Sequence, residues 1–153
     1  MAEIFLGLGS NLGDRAENLR HAEVALAPAV VIQKISSVYE TEPQYVVDQP
    51  RFLNRVLRGV TELTPHALLA FLKQIESDLG RTPSERFGPR LVDLDILYYE
   101  DKIVNDADLQ IPHPRISERE FVLRPMLEIA PDFPHPVTGK TTSDMLKALD
   151  SRK

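Results

Sequence analysis

Asp93 and Asp95 stand one residue apart in Leu91-Val92-Asp93-Leu94-Asp95-Ile96-Leu97, a run whose apolar content reads as a strand. Side chains alternate along a strand, so both carboxylates point to one face, with α-carbons roughly 6.5 to 7 Å apart, while Leu94 and Ile96 turn to the core. On a half-buried sheet such a pair repels and loses hydration, and it is at ease only with a shared proton or a cation between its oxygens. Magnesium suits it, favouring one or two carboxylates plus waters and substrate phosphates. Arg81, Arg86 and Arg90 lie just ahead, and guanidinium forks suit the many oxygens of a polyphosphate. Gly88-Pro89 fixes a bend that turns Arg90 back toward such a ligand. Metal and arginines together describe a nucleoside triphosphate site. Taken singly, each feature has a plainer reading: an isolated D-x-D is commonly a solvated strand face, and the arginines could simply pair with Glu85, Glu76 and Asp78.

Regular elements must hold these groups. Ile4 to Leu8 reads as a strand running into a glycine-permitted turn at Gly7-Leu8-Gly9-Ser10-Asn11. Leu19, Ala22 and Leu26 recur at helical spacing over Asp14 to Ala27. Val30 to Thr41 reads as one strand, Glu42 to Pro50 as a loop, and Phe52 to Leu63 as the next strand. Thr64-Pro65 is an N-cap with proline at the first helical position, and Leu68, Leu72, Ile75 and Leu79 form an apolar stripe that ends before Gly80. Arg81 to Arg90 reads as a mobile surface loop, Leu91 to Tyr99 as a strand, and Ile103-Val104 as a short piece pairing with it across the Glu100-Asp101-Lys102 turn. The many prolines beyond Ile111 predict only short helices, at Ser117 to Phe121 and Arg124 to Ile129, before a last helix at Thr142 to Leu149. Strand, helix, strand, strand, helix, strand is the order of an α+β, ferredoxin-like unit: an antiparallel sheet with helices packed on its faces.

A chain of 153 residues, 42% hydrophobic, fits one domain over 1–153 with one core. Its net charge of −5 disfavours a broad nucleic-acid footprint, and its lack of cysteine excludes disulfides, thiolate metal sites and cysteine nucleophiles. No stretch reaches the ~18 apolar residues of a membrane span, and no leader pattern is visible, so a soluble, cytoplasmic protein is expected.

The run Phe87-Gly88-Pro89-Arg90-Leu91-Val92-Asp93-Leu94-Asp95-Ile96-Leu97 closely resembles the signature of the 6-hydroxymethyl-7,8-dihydropterin pyrophosphokinase family. The resemblance extends over Gly9-Ser10-Asn11, Tyr39-Glu40-Thr41-Glu42-Pro43, Asp48-Gln49-Pro50-Arg51-Phe52-Leu53-Asn54, Ile111-Pro112-His113-Pro114-Arg115, Glu118-Arg119-Glu120-Phe121-Val122-Leu123 and Glu128-Ile129-Ala130-Pro131. It implies pyrophosphoryl transfer from ATP to the hydroxymethyl group of a reduced pterin, giving AMP, with two magnesium ions bridged by Asp93 and Asp95. It further implies an ATP site lined by Glu76, Arg81, Arg90, His113 and Arg119. A pterin site would comprise Gly9, Thr41, Gln44, Phe52, Asn54 and Phe121, with the ring between the two aromatics. Arg81 and Arg90 would stabilise transferring charge. Either Asp95 takes the hydroxyl proton or a metal lowers that hydroxyl's pKa directly. The implied substrates are ATP and reduced pterin; charge and hydropathy predict neither nucleic acid nor membrane as a partner, and a monomer is expected.

Individually these residues have ordinary alternatives: phenylalanines are usually core, Asn54 could be a cap, and His113 between prolines could be loop packing, neutral or charged. Pro83 stands where the family often has a second basic residue, Phe87 replaces a common tryptophan, and Tyr45 replaces a common glycine. These changes bear on the lid expected at Arg81 to Phe87 and on the pterin loop. Two rivals remain at this stage, a nucleotidyltransferase, which releases pyrophosphate in place of AMP, and a non-catalytic ferredoxin-like sensor or RNA-binding module.

Overall fold

The computed structural model describes residues 1–41, 50–80 and 91–152. Gln44, Tyr45, Arg81, Pro83, Arg86, Phe87 and Arg90, together with the expected lid and most of the loop before Pro50, lie outside the described residues.

Strand β1 (Ala2–Ser10) leads to helix α1 (Arg15–Leu26), which Asp14 caps by accepting the Glu17 amide at 3.2 Å. Strands β2 (Val30–Ile35), β3 (Tyr39–Thr41) and β4 (Phe52–Thr61) follow. Helix α2 (Pro65–Asp78) starts as its sequence dictates: Thr64 Oγ1 accepts the Ala67 amide, and Pro65 occupies a position where no intrahelical donor is needed. It buries Leu68, Leu72 and Ile75, and each fully buried leucine contributes about 1.5–3 kcal/mol. Strand β5 (Asp93–Tyr99) is followed by the short strands β6 (Val104–Asn105) and β7 (Gln110–Ile111), a 3₁₀ turn at Ile116–Glu118, and helices α3 (Glu120–Ile129) and α4 (Thr142–Asp150).

The main sheet has the order β2-β4-β1-β5, with β3 also paired to β4, and each of its pairings is antiparallel. This is the antiparallel, ferredoxin-like sheet expected. Two apolar clusters lie on opposite faces. Ile4, Leu6, Leu8, Leu57, Leu94 and Ile96 pack with α1 and α2. Phe5, Val56, Leu97 and Tyr98 pack with Val122, Leu123 and Met126 of α3 and Met145 and Leu146 of α4.

Several local expectations are corrected. Gly7 and Gly9 belong to β1 and not to a turn, since the strand runs on to Ser10; what needs glycine at position 9 is the neighbouring strand, as shown below. The strand expected over Val30 to Thr41 is two strands. Between them Ser36 leaves the regular ladder, its hydroxyl accepting the Val56 amide and its carbonyl accepting two N–H groups of Arg55. Val104 pairs with Ile111 and not with β5. At the end of β5 the Glu100 amide bonds Glu3 O and Glu100 takes a positive φ of 50°, which turns the chain away, and the Leu97 carbonyl is taken by the His113 amide. Finally, α3 passes through Pro125 where a break was expected. Proline costs about 3 kcal/mol inside a helix, and burial of Val122, Leu123, Pro125, Met126 and Ile129 on one side of α3 offsets it.

Candidate active site

Register brings the site together. Thr41 lies opposite Phe52, Asn54 opposite Gly9, Gly9 opposite Asp93, and Gly7 opposite Asp95. Residues directly opposite each other on paired strands share a face, as do residues two apart along a strand. Thr41, Phe52, Asn54, Gly9, Asp93 and Asp95 therefore stand on one side of the sheet, the side on which α3 packs.

Gly9 is the centre of this surface. A Cβ there would lie 2.9 Å from Asn54 Oδ1 and 3.5 Å from the Phe52 ring, so the missing side chain is what lets both groups lean over β1. Asn54 is 7% exposed, and its Nδ2 donates to Thr41 Oγ1 at 2.6 Å. With that donor engaged, Oδ1 faces Gly9 as an acceptor. Asn11, 1% exposed, donates to Pro50 O at 3.1 Å, and Arg15 donates to Arg51 O at 2.8 Å while pairing with Glu40 at 3.0 Å. These contacts fix the start of β4 and hence Phe52. The sequence reading assigned roles to neither Arg15 nor Glu40; their only signal was membership of, or proximity to, short matching runs.

Asp93 and Asp95 are half-buried, and Leu94 between them enters the opposite core, as strand alternation predicts. Two accessible carboxylates on one face, beside a strand that presents only the glycines Gly7 and Gly9 opposite them, form an all-oxygen donor set suited to a hard divalent cation. Glu76 lies on the other face: it is 5% exposed on α2, and its Oε2 accepts the Leu94 amide at 2.8 Å. It thus grips the backbone between the two aspartates.

His113 hangs on the same strand, its amide donating to Leu97 O at 3.0 Å. Its Nδ1 accepts the Arg115 amide at 3.3 Å, which leaves the proton on Nε2. Burial, and then the charges of Arg119 and Arg115, lower its pKa to about 4. The charge state left open by the sequence is therefore resolved in favour of the neutral ring, a hydrogen-bond donor through Nε2–H. Arg119 sits at the N-cap of α3 with its guanidinium 5.3 Å from the centre of the Phe121 ring, a cation–π contact that orients both. Arg81, Arg90 and Gln44 lie outside the described residues.

Among the described residues, one group of three metal-ligating side chains converges: His66, Asp106 and Asp108, all exposed. His66 lies at the start of α2, about 15 Å along the helix from Glu76, and pairs with Asp106 at 2.9 Å. It is separate from the surface described above.

Residues 5–131 match the family described as 7,8-dihydro-6-hydroxymethylpterin-pyrophosphokinase. A protein of Methylorubrum extorquens named 2-amino-4-hydroxy-6-hydroxymethyldihydropteridine pyrophosphokinase is 43% identical over 98% of this chain and 95% of its own length. A folic acid synthesis protein of Dictyostelium discoideum is 46% identical over 93% of this chain and 22% of its own length. The chain spans 20–25% of the length of the first four curated relatives it matches. Among solved structures, wild-type Plasmodium falciparum HPPK-DHPS aligns over 99% of this chain and 41% of that one, with a TM-score of 0.77 at 16% identity. That likeness speaks to the fold.

Proposed function

Because the chain belongs to the 7,8-dihydro-6-hydroxymethylpterin-pyrophosphokinase family, we propose that it transfers the β,γ-pyrophosphoryl group of ATP to the hydroxymethyl oxygen of a reduced pterin. The observation that carries this reading is the single face shared by Gly9, Thr41, Phe52, Asn54, Asp93 and Asp95. A flat heterocycle and a metal-bound triphosphate would meet there side by side.

In this reading Phe52 and Phe121 stack on the pterin, each ring contact contributing about 0.5–1.5 kcal/mol beyond area burial. Asn54 Oδ1, with Nδ2 committed to Thr41, accepts an N–H from the ring edge. Asp93 and Asp95 hold magnesium, two ions in this proposal, whose chemistry when bound is neutralisation of the triphosphate. Neutral His113 donates Nε2–H to a phosphate oxygen, and Arg119 adds positive charge, with Arg81 and Arg90 assigned the same task. Glu76 serves by holding the Leu94 amide from the opposite face, which fixes the backbone between the two aspartates. The pterin oxygen forms a bond to the β phosphorus as the bond from that phosphorus to the α,β-bridging oxygen breaks, AMP leaves, and the hydroxyl proton goes to Asp95 or to solvent. Catalysis is then mainly alignment and charge stabilisation.

The proposal takes residues 1–153 as one pyrophosphokinase domain acting as a cytoplasmic monomer on small molecules. Both helix layers close on a single sheet, which supports one domain, and no helix among the described residues is long and apolar enough to cross a membrane. The test is AMP formation from ATP and 6-hydroxymethyl-7,8-dihydropterin, with and without magnesium. Magnesium-dependent AMP and pterin pyrophosphate are expected; release of inorganic pyrophosphate would point to nucleotidyl transfer, and no ATP consumption despite pterin binding to a sensor.

A further inference from the structure

We propose that Glu128 is a positioning residue for the pterin, tying the helix that carries Phe121 to the strand that carries Thr41; this rests on the pterin-binding reading above. Glu128 is exposed near the end of α3. Its Oε1 accepts both the amide and the hydroxyl of Ser37 at 2.9 Å, and its Oε2 accepts the Tyr39 hydroxyl at 2.7 Å. Three donors thus converge on one carboxylate from a segment some ninety residues away in sequence. The Tyr39 hydroxyl, then the Ser37 amide and hydroxyl, hold the Glu128 carboxyl below its ordinary pKa, so it stays charged and its hydrogen bonds are of the stronger, ion-assisted kind.

Stability of α3 does not account for this arrangement. The helix is already anchored by Val122, Leu123, Met126 and Ile129, all in the second apolar cluster. The element that lacks such anchorage is β3, three residues long and without a buried side chain, which pairs with β4 through Tyr39, Glu40 and Thr41. Its lateral position is set from two sides. Glu40 is held by Arg15 and Arg51 at 3.0 and 3.7 Å, and Tyr39, on the opposite face, is held by Glu128. Tyr39 and Thr41 are two apart and share a face, and Thr41 Oγ1 is the acceptor that commits Asn54 Nδ2 and leaves Oδ1 toward Gly9. Glu128 therefore acts through Tyr39 and Thr41 on the group assigned to the ring edge. Through α3 it also fixes the distance between that group and Phe121 at the other end of the same helix.

The experiment measures AMP formation by the full chain as a function of each substrate, for Glu128→Ala, Glu128→Gln and Tyr39→Phe, with thermal unfolding of each. Glu128→Ala is expected to raise KM for the pterin about tenfold, as a small misplacement of a binding group does, while KM for ATP and kcat stay within about twofold. Tyr39→Phe, which removes one hydrogen bond, is expected to raise pterin KM about threefold. Glu128→Gln restores most of the loss, because an amide oxygen can still accept from Ser37 and an amide N–H can donate to the tyrosine oxygen. Pterin KM unchanged in both Glu128→Ala and Tyr39→Phe, or both substrate KM values rising together, overturns the inference. If Glu128→Ala does not fold, Tyr39→Phe decides alone, an unchanged pterin KM again overturning it. A wild-type chain that makes no AMP defeats the activity reading and this inference with it, whereas an active wild type with an indifferent Glu128 defeats only the latter.

Discussion

The two ends of one sheet face behave as different materials. At one end Phe5, Val56, Leu97 and Tyr98 lie beneath α3 and α4 in a closed apolar cluster. Two to five residues further along the same strands, on the same face, stand Gly7 and Gly9, Asn54 and Phe52, Asp95 and Asp93. Each strand makes the change from core to site within a few residues; β1 and β4 do so in steps of two, and β5 through a register shift opposite Phe5 and Leu6 that brings both Leu97 and Tyr98 to the covered end. The covered end supplies the burial that keeps the strands in place; the open end is thereby free to hold carboxylates and a buried amide, groups whose desolvation an apolar core would not offset. Position relative to the helix layer, more than residue type, decides which end a side chain serves.

The sharpest way to break this contrast is to mutate both ends and compare stability with turnover. Asp93→Ala and Asp95→Ala are each expected to cut turnover by about a thousandfold or more, on the scale of losing a key charge-stabilising group, while leaving stability nearly unchanged, since both side chains are only half-buried. Leu97→Ala, on the same strand, is 1% exposed in the wild type and is expected to cost about 2–5 kcal/mol of stability with turnover per folded molecule preserved. Equal effects on both measurements at either end would dissolve the distinction.

His113 sharpens it, being a group of the open end that is desolvated like one of the covered end. Its pKa of about 4 lies below the ordinary 6.5. Between those values the unfolded chain binds a proton that the folded protein refuses. The stabilising contribution is therefore complete above pH 6.5 and falls as pH drops toward 4, by about 3 kcal/mol at most. His113→Gln should flatten that part of a stability–pH curve measured without ligands. His135, lowered by burial alone, leaves a residual slope of the same sign, and the depressed Glu128 carboxyl contributes a loss only below its ordinary range near 4.5.

A pair of glycines, one against each face of the sheet, separates packing from binding at the backbone: Gly59 lies opposite Ile4 on the α1 and α2 face, Gly9 on the face of the site. A Cβ on Gly59 would lie 2.8 Å from Val30 Cγ1 and 2.9 Å from Val31 O. Gly59→Ala must move β2 and is expected to cost about 1–3 kcal/mol of stability. A Cβ on Gly9 meets chiefly the Asn54 carbonyl oxygen at 2.9 Å, so Gly9→Ala is expected to displace that acceptor and raise pterin KM about tenfold, with a smaller stability change. Denaturant unfolding and substrate saturation curves on the two variants distinguish these outcomes.

What the sequence made legible was local. Helix α2 could be read from Thr64-Pro65 and the Leu68, Leu72, Ile75 stripe, and the shared face of Asp93 and Asp95 from strand alternation, because each depends on residues within a few positions. What it hid was made across the chain. Gly9 looked like a turn glycine because its reason, the Asn54 side chain, lies on another strand. The break at Ser36 is set by Val56 and Arg55, the departure of β6 by Glu3 and His113, and the continuity of α3 through Pro125 by the core it covers. The meeting of Thr41, Asn54, Gly9 and Asp93 could be expected from resemblance, but its physical cause is sheet register, which periodicity alone does not supply.

The smallest effect comes from the covered end and concerns an atom with the least reason to be there. Tyr98 is 1% exposed, edge-on to Phe5, tilted against Phe133 and edge-on to His135, and its hydroxyl makes no hydrogen bond among the described residues. Burial pushes its pKa above the ordinary tyrosine value. At the open end the buried amide of Asn54 and the ring of His113 both have partners; here an oxygen is desolvated without one. Tyr98→Phe keeps the ring and its contacts while deleting that oxygen, so stability is expected to rise by about 1 kcal/mol, with AMP formation unchanged. A fall in melting temperature instead would mean that the hydroxyl is satisfied in solution, and that this end of the face is less dry than its apolar lining implies.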